Sequence, residues 1–269
     1  MPSMSFRPVV RFWATGFFVI GALLAEIPFG QTLGWTQSVS PGAESTSIDL
    51  SPVFISRTAR DKIDYSVIDH FTRRRQLSDD GDAAGYIGCT DGGGEFFHGQ
   101  IDDVRIYKQA LSNQDIERLS QGRSQVHNDA LTGWWKLDGD LRNHAPISGA
   151  KPARTIGHDK RFVGGRLGKG IEFDGVQGGL RIENYTGLKP TTNQITISAW
   201  IRPSECPDSW MQIYRKEDGD QGRQLLAIGK TAYYGLWCGL AVDGYVEVGG
   251  QIDRSTLADG NWHHVAATL

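Results

Sequence analysis

The chain has 269 residues, 39% hydrophobic and 22% charged, with 34 glycines, 8 tryptophans and a formal net charge of −3. That is enough apolar material for the core of one or two globular domains. The near-neutral balance excludes an electrostatic case for nucleic acid or an anionic membrane as partner.

In chain order, Arg7 and Arg11 precede an uncharged apolar run from Phe12 to Ala25. A positive start and an apolar stretch of this size predict a signal peptide over residues 1–30, and so a secreted or cell-surface protein. As a helix the run spans about 21 Å, short of a hydrocarbon core of about 30 Å, so no stable membrane span is expected. The cleavage site is poorly marked, which leaves an uncleaved anchor as the alternative. Residues 31–84 read as a less ordered linker, with an amphipathic helix over residues 61–77 that places Ile63, Val67, Ile68 and Phe71 on one side. A glycine-rich turn, Asp91–Gly94, then joins two short apolar runs.

The segment Gly99–Tyr107 reads as a strand in which Val104 and Ile106 share a face while Ile101 points the other way. A β-bulge at Asp102–Asp103 brings Ile101 to the side of Val104 and Ile106 and is predicted for that reason. A short helix follows residue 111. Ser112 is its N-cap, Asp115 completes an acidic capping box, Leu111 and Ile116 form a hydrophobic staple, and Gly122 stops it.

Beyond Asn128 the pattern is one of short strands. Trp135 and Leu137 share a face; Ile171 and Phe173 point inward; Leu180 and Ile182 follow. Ile195, Ile197, Ala199 and Ile201 alternate with Thr196, Ser198 and Trp200 until Pro203 stops the strand. Leu225–Ile228, Tyr234–Leu240 and Tyr245–Val248 continue the sheet, with Asp243-Gly244 as a hairpin turn, and Trp262–Leu269 is the last strand. Steady alternation with Gly, Asn and Asp between strands is the signature of a β-sandwich.

Gly133–Asp138 (GWWKLD), Gly170–Gly175 (GIEFDG), Ile195–Pro203 (ITISAWIRP) and Trp262–Ala267 (WHHVAA) resemble, in order, the LamG-like jellyroll domain of the concanavalin A-like lectin/glucanase superfamily. Tyr86–Gly88 (YIG), Phe96–Gly99 (FFHG) and Ile101–Tyr107 (IDDVRIY) resemble that family's C-terminal end. The resemblance implies an all-β, antiparallel jellyroll sandwich. Residues 85–122 correspond to the end of one jellyroll and residues 128–269 to the beginning of another. The order is therefore inverted, and the expected arrangement packs residues 85–107 against residues 131–138 and 168–174 in an incomplete, permuted sandwich. A hairpin that would follow Leu269 is expected to be missing, leaving a sheet edge bare unless a partner covers it.

Chemistry is the least developed part of the sequence. Glu172 and Asp174 face the same way, but a glycosidase motif in this superfamily continues with a further acid where Gln177 stands, so no catalytic residues are assigned. His263 and His264 are neighbours on a strand, point to opposite faces and cannot share a metal ion. Calcium occurs at the rim of related jellyrolls, and Asp91, Asp218, Asp220 and Asp243 are the carboxylates that loops would offer it. Trp210, Tyr233, Tyr234 and Trp237 are candidates for an aromatic platform under sugar rings, against the plainer reading that they fill the core. Export and an odd count of three cysteines allow one bridge, with Cys206–Cys238 the expected pair. The reading is a secreted, non-enzymatic module that binds carbohydrate or an extracellular protein. A structural spacer, or a fragment without activity, is the alternative, and a glycoside hydrolase the remote one.

Overall fold

The computed structural model describes residues 53–56, 64–66 and 81–268, apart from residues 92, 159–160, 190, 219–221, 231–234, 242–244 and 251. The expected signal segment and the linker before residue 53 lie outside the described residues. In chain order the elements are β1 (Val53–Ser56), β2 (Asp64–Ser66), β3 (Gly85–Ile87), β4 (His98–Tyr107), α1 (Asn113–Ser120) and β5 (Leu131–Trp135). There follow β6 (Ala153–Ile156), β7 (Arg161–Gly164), β8 (Lys169–Asp174), β9 (Gly179–Ile182), β10 (Thr196–Pro203) and β11 (Met211–Asp218). The chain continues with β12 (Gly222–Ile228), β13 (Leu236–Ala241), β14 (Tyr245–Gly250), α2 (Arg254–Leu257) and β15 (His263–Thr268).

They form an antiparallel β-sandwich. One sheet has eight strands in the order β2-β1-β15-β10-β4-β8-β7, with β5 also paired to β4; the other has seven, β14-β13-β12-β11-β3-β9-β6. The inner faces meet in one apolar core to which β4, β8, β10 and β15 contribute Ile101, Val104, Ile106, Ile171, Phe173, Ile197, Ala199, Ile201 and Val265. Leu180, Ile182, Met211, Tyr214, Leu226, Ile228, Leu236 and Cys238 face them from the seven-stranded sheet.

β4 organises the eight-stranded sheet. On one edge it pairs with β10 along its whole length, and there Ala199 stands between Ser198↔Arg105 and Trp200↔Asp102, opposite Asp103 and Val104. This is a bulge of two residues against one, displaced by one residue from the predicted step, and Asp103 absorbs it at a φ of 51°. Its effect is the expected one: Ile101, Val104 and Ile106 all reach the core. On the other edge β4 changes partner at the same place. His98–Ile101 pair with β8, and Val104–Tyr107 pair with β5.

The two acids between those partners hold the changeover together. Asp102 Oδ2 accepts the backbone N–H groups of Arg166 and Leu167, both at 2.8 Å, and so fixes the turn that leads into β8. Asp103 accepts Arg105 Nε at 2.9 Å and Nη2 at 3.2 Å, and the indole N–H of Trp134 in β5 at 2.6 Å. The Arg105 guanidinium lies 4.4 Å above the Trp134 ring.

α1 covers part of the outer face of this sheet. Ser112 and Asp115 make the capping box in both directions. At its C-terminus Gly122, at φ +77°, lets Gly122 N–H reach Leu119 O and Arg123 N–H reach Arg118 O, a Schellman ending. Leu111, Ile116, Leu119 and Val126 pack with Tyr107, Leu131, Ala145 and Ala266 in a second apolar cluster.

Several expectations need correction. Asp64–Ser66 is a strand, not part of a helix over residues 61–77, and the rest of that stretch is outside the described residues. The edge expected to be bare is paired: β1 lies antiparallel to β15, with Phe54↔Ala266, Ile55↔Val265 and Ser56↔His264, and β2 lies beyond it. The Asp91–Gly94 turn does connect two strands, β3 and β4, and these belong to different sheets. β6, β7, β11 and α2 are elements the sequence reading omitted. The Cys206–Cys238 bridge does not form, and Cys89, Cys206 and Cys238 are all thiols. Cys238 is built into β13 facing the core, whereas Cys206 follows β10 in the other sheet and packs against the core margin.

Replacing Arg105 by Met strands the Asp103 carboxylate at a site 6% exposed. Loss of one partner of a buried pair costs about 3–5 kcal/mol. Urea unfolding is expected to show a loss of that order for Arg105→Met, and Asp103→Asn in the same chain is expected to restore much of it, since Asn tolerates positive φ. A loss within error of zero for the single substitution would contradict the assigned role.

Candidate functional site

Two places on the sandwich gather polar and aromatic side chains, and their exposure separates them. The first is the outer face of the eight-stranded sheet around Asp102. Burial pushes this carboxyl up to about 7, offset in part by the N–H groups of Leu167 and Arg166. A carboxyl titrating near neutrality is a common mark of a catalytic acid. Here it is 0% exposed, as are its neighbours in all but a percent or two: Trp200 1% and His264 2%. His264 lies against Trp200 with ring centroids 5.2 Å apart, and burial drives its imidazole down to about 3. No substrate reaches these groups, and their work is architectural.

The second place is the outer face of the seven-stranded sheet, where Tyr86, Glu95, Arg181, Trp210, Arg215 and Trp237 are half-buried, while Gln212, 2% exposed, lies beneath them and holds Glu95. In β11, Ile213 is the extra residue of another bulge, between Met211↔Ile228, Gln212↔Ala227 and Tyr214↔Leu226. Without it Gln212 and Arg215 would point to opposite faces; with it both lie outside. Both then reach Glu95, which the Asp91–Gly94 turn delivers to this face. Gln212 Nε2 donates to Glu95 Oε2 at 2.6 Å and Arg215 Nη1 donates to the same oxygen at 2.9 Å. Arg215 Nη2 donates to Glu217 Oε1 at 2.6 Å. Across the sheet the row continues as Arg215↔Tyr86↔Arg181↔Arg154, with Arg181 paired to Glu183. The Tyr86 phenol, more than Glu183, holds the Arg181 guanidinium further toward its charged form.

Beside this polar row stands an aromatic corner. Gln212, Ala227, Trp237 and Gly249 are in register across β11, β12, β13 and β14. Gly249 makes room for the indole of Trp237, since a Cβ there would come within 2.3 Å of the ring. Trp210 meets Trp237 edge to face, with centroids 5.7 Å apart and planes at 82°. The two indoles form the walls of a right-angled corner on the same face as the Arg215–Glu95 pair.

Two of the four predicted platform aromatics, Trp210 and Trp237, are thus brought together, whereas Tyr233 and Tyr234 lie outside the described residues. Of the calcium candidates, Asp91 is exposed and its Oδ1 accepts Gly93 N–H at 3.0 Å. Asp218 ends β11, while Asp220 and Asp243 lie outside the described residues. Among the described residues no three His, Cys, Asp or Glu side chains come together as a metal site would require. Glu172 is ion-paired with Arg161, and Asp174 Oδ1 accepts the N–H groups of Val176 and Gln177 at 2.9 and 3.0 Å, closing the turn after β8. His263 turns from His264 to bind Asp259 at 2.9 Å. Sequence reasoning missed Tyr86, Glu95, Arg181, Gln212 and Arg215. The interrupted alternation in Met211–Asp218 is the one trace of the bulge that aligns two of them.

A family model described as the concanavalin A-like lectin/glucanases superfamily matches residues 66–117 and 173–269, together more than half of the chain. No curated protein and no solved structure matches it.

The raised Asp102 has a measurable consequence. Its folded value of about 7 exceeds the ordinary 3.8. The folded state therefore holds a proton that the unfolded state releases between those values, and the group's contribution to stability falls as pH rises from about 4 to about 7. His264, lowered from 6.5 to about 3, acts with the opposite sign, its contribution growing as pH rises through that window. Thermal unfolding of the chain and of Asp102→Asn should thus give a Tm difference that shifts in favour of Asn by several degrees between pH 4.5 and 8, using ~1 kcal/mol as a few degrees. A difference independent of pH would refute the buried, raised carboxyl.

Proposed function

The chain belongs to the concanavalin A-like lectin/glucanase superfamily, and on that premise we propose that it is an extracellular, non-catalytic module that binds neutral carbohydrate on the outer face of its seven-stranded sheet. Fold alone does not assign a ligand, because one fold carries many functions. The observation that carries the reading is the Trp210–Trp237 corner on the same face as the half-buried Arg215 and Glu95. A sugar ring has an apolar face that stacks on an indole and a rim of hydroxyls that pair with guanidinium and carboxylate groups, and this face offers both, with Arg215 two register pairs along from the row of Trp237. The charges favour a neutral ligand: Arg215 is balanced by Glu95 and Glu217, and Arg181 by Glu183.

Export is supported by the apolar segment Phe12–Ala25 behind Arg7 and Arg11. Among the described residues no helix is long and apolar enough to cross a membrane. The non-catalytic reading rests on the part each acid plays. Glu172 and Asp174 are engaged in an ion pair and a turn, and Asp102 is sealed from solvent.

A glycan array probed with the labelled full chain, with and without a calcium chelator, tests the proposal. Binding to neutral polysaccharides that survives chelation is expected. Trp237→Ala is expected to weaken it about tenfold or more, as for removal of a buried aromatic anchor. No glycan bound by the chain, or equal binding by a well-folded Trp237→Ala variant, would defeat it.

A further inference from the structure

β15 is the last strand of the sequence, yet it is not at the sheet edge. One side pairs with β10, and the other with β1, which comes from near the opposite end of the chain. β1 engages it through three residue pairs, Phe54↔Ala266, Ile55↔Val265 and Ser56↔His264, and carries β2 with it. Among the described strands of the sandwich, β15 is the one to which the pair β1–β2 is hydrogen-bonded, and α1 lies against β1. β2 is joined to β3, in the other sheet, by the eighteen residues 67–84. Extended, they reach roughly 60 Å, several strand lengths.

The acceptor cannot stand empty. His264, Val265 and Ala266 are 2%, 0% and 0% exposed, and without β1 their backbone N–H and C=O groups would form an open edge of an apolar strand. Such an edge recruits another strand. A short closing element paired to one strand can be exchanged between identical chains at little cost, because every contact broken within one chain is remade between two, and a connection of this length lets it reach a neighbouring copy.

We infer that β1–β2 is an exchangeable closing pair, and that the second partner this chain is built to engage is another copy of itself, with β1 of each copy seated on β15 of the other. The exchanged dimer keeps every strand pairing of the closed monomer and leaves the outer face of the seven-stranded sheet untouched, so it presents two copies of the aromatic corner. The inference does not depend on what that corner binds.

The test uses the full chain with Cys89, Cys206 and Cys238 replaced by Ala. One preparation carries Phe54→Cys and a second Ala266→Cys; the positions are directly opposed, within the Cα separation a disulfide spans. Mixed at high concentration in a thiol–disulfide buffer, they are expected to give a disulfide-linked heterodimer several-fold more abundant than with Val176→Cys, an exposed position away from the seam. Both substitutions in one chain are expected to lock a monomer and abolish the dimer. The unmodified chain, which needs no cysteine variant to fold, is expected in sedimentation velocity to gain dimer over about a hundredfold rise in concentration. Heterodimer no more abundant than the Val176→Cys control, or an unmodified chain that stays monomeric throughout, overturns the inference.

Discussion

At one step of the backbone, between Ile101 and Val104, strand β4 does two things at once. Against β10 it sets two residues opposite one, and on its other edge it leaves β8 for β5. Both changes are tied by side chains, Asp102 binding the turn entering β8 and Asp103 binding Arg105 and Trp134. The same step restores the inward alternation, so that Ile101, Val104 and Ile106 join one core. Asp102 is kept at this place despite a burial that penalises its charge, since the two N–H groups it accepts would otherwise be turned inward unpaired. A sandwich whose strands come from distant parts of the chain needs such a junction, and here the junction is two adjacent acids.

The order of the chain follows the same logic. β4 is central to its sheet although it precedes all but three of the strands, and β15 is internal although it is last. The pairing of β1 with β15 converts what would be an open edge into an interior position. The proposed binding face belongs to the other sheet, where a second bulge, at Ile213, turns Gln212 and Arg215 the same way. The two sheets therefore use one device for different ends. In β4 it preserves the core, and in β11 it assembles a polar row beside Trp210 and Trp237.

Much of this was legible in the sequence, for physical reasons that differ by element. Strict alternation in Ile195–Ile201 announces a strand with one apolar face, although the structure buries the other face as well, and the failure of alternation at Asp102–Asp103 announces a bulge, since Ile101 had no other way to be buried. The capping box at Ser112 and Asp115 is local chemistry and was read correctly from four residues. β1 was not legible, because a strand held by three residue pairs to a partner two hundred residues away leaves no periodic trace of its own. β11 was hidden by its bulge, and with it the role of Gln212, Arg215 and Glu95. Trp210 and Trp237 were found by residue type alone, and only the register across β13 and β14, with Gly249 open beneath the indole, places them on the outer face.

The account stands on β4 being part of the cooperative core despite its distance in sequence from the strands beside it. Amide hydrogen exchange of the intact chain, resolved by residue, addresses this most directly. Ile101, Val104, Arg105 and Ile106 should exchange as slowly as Ile197, Ala199 and Ile201 of β10, through global unfolding only. Exchange of the β4 amides orders of magnitude faster than those of β10 would show a strand that merely rests on the sheet, and the junction at Asp102 and Asp103 would lose its place at the centre of the fold.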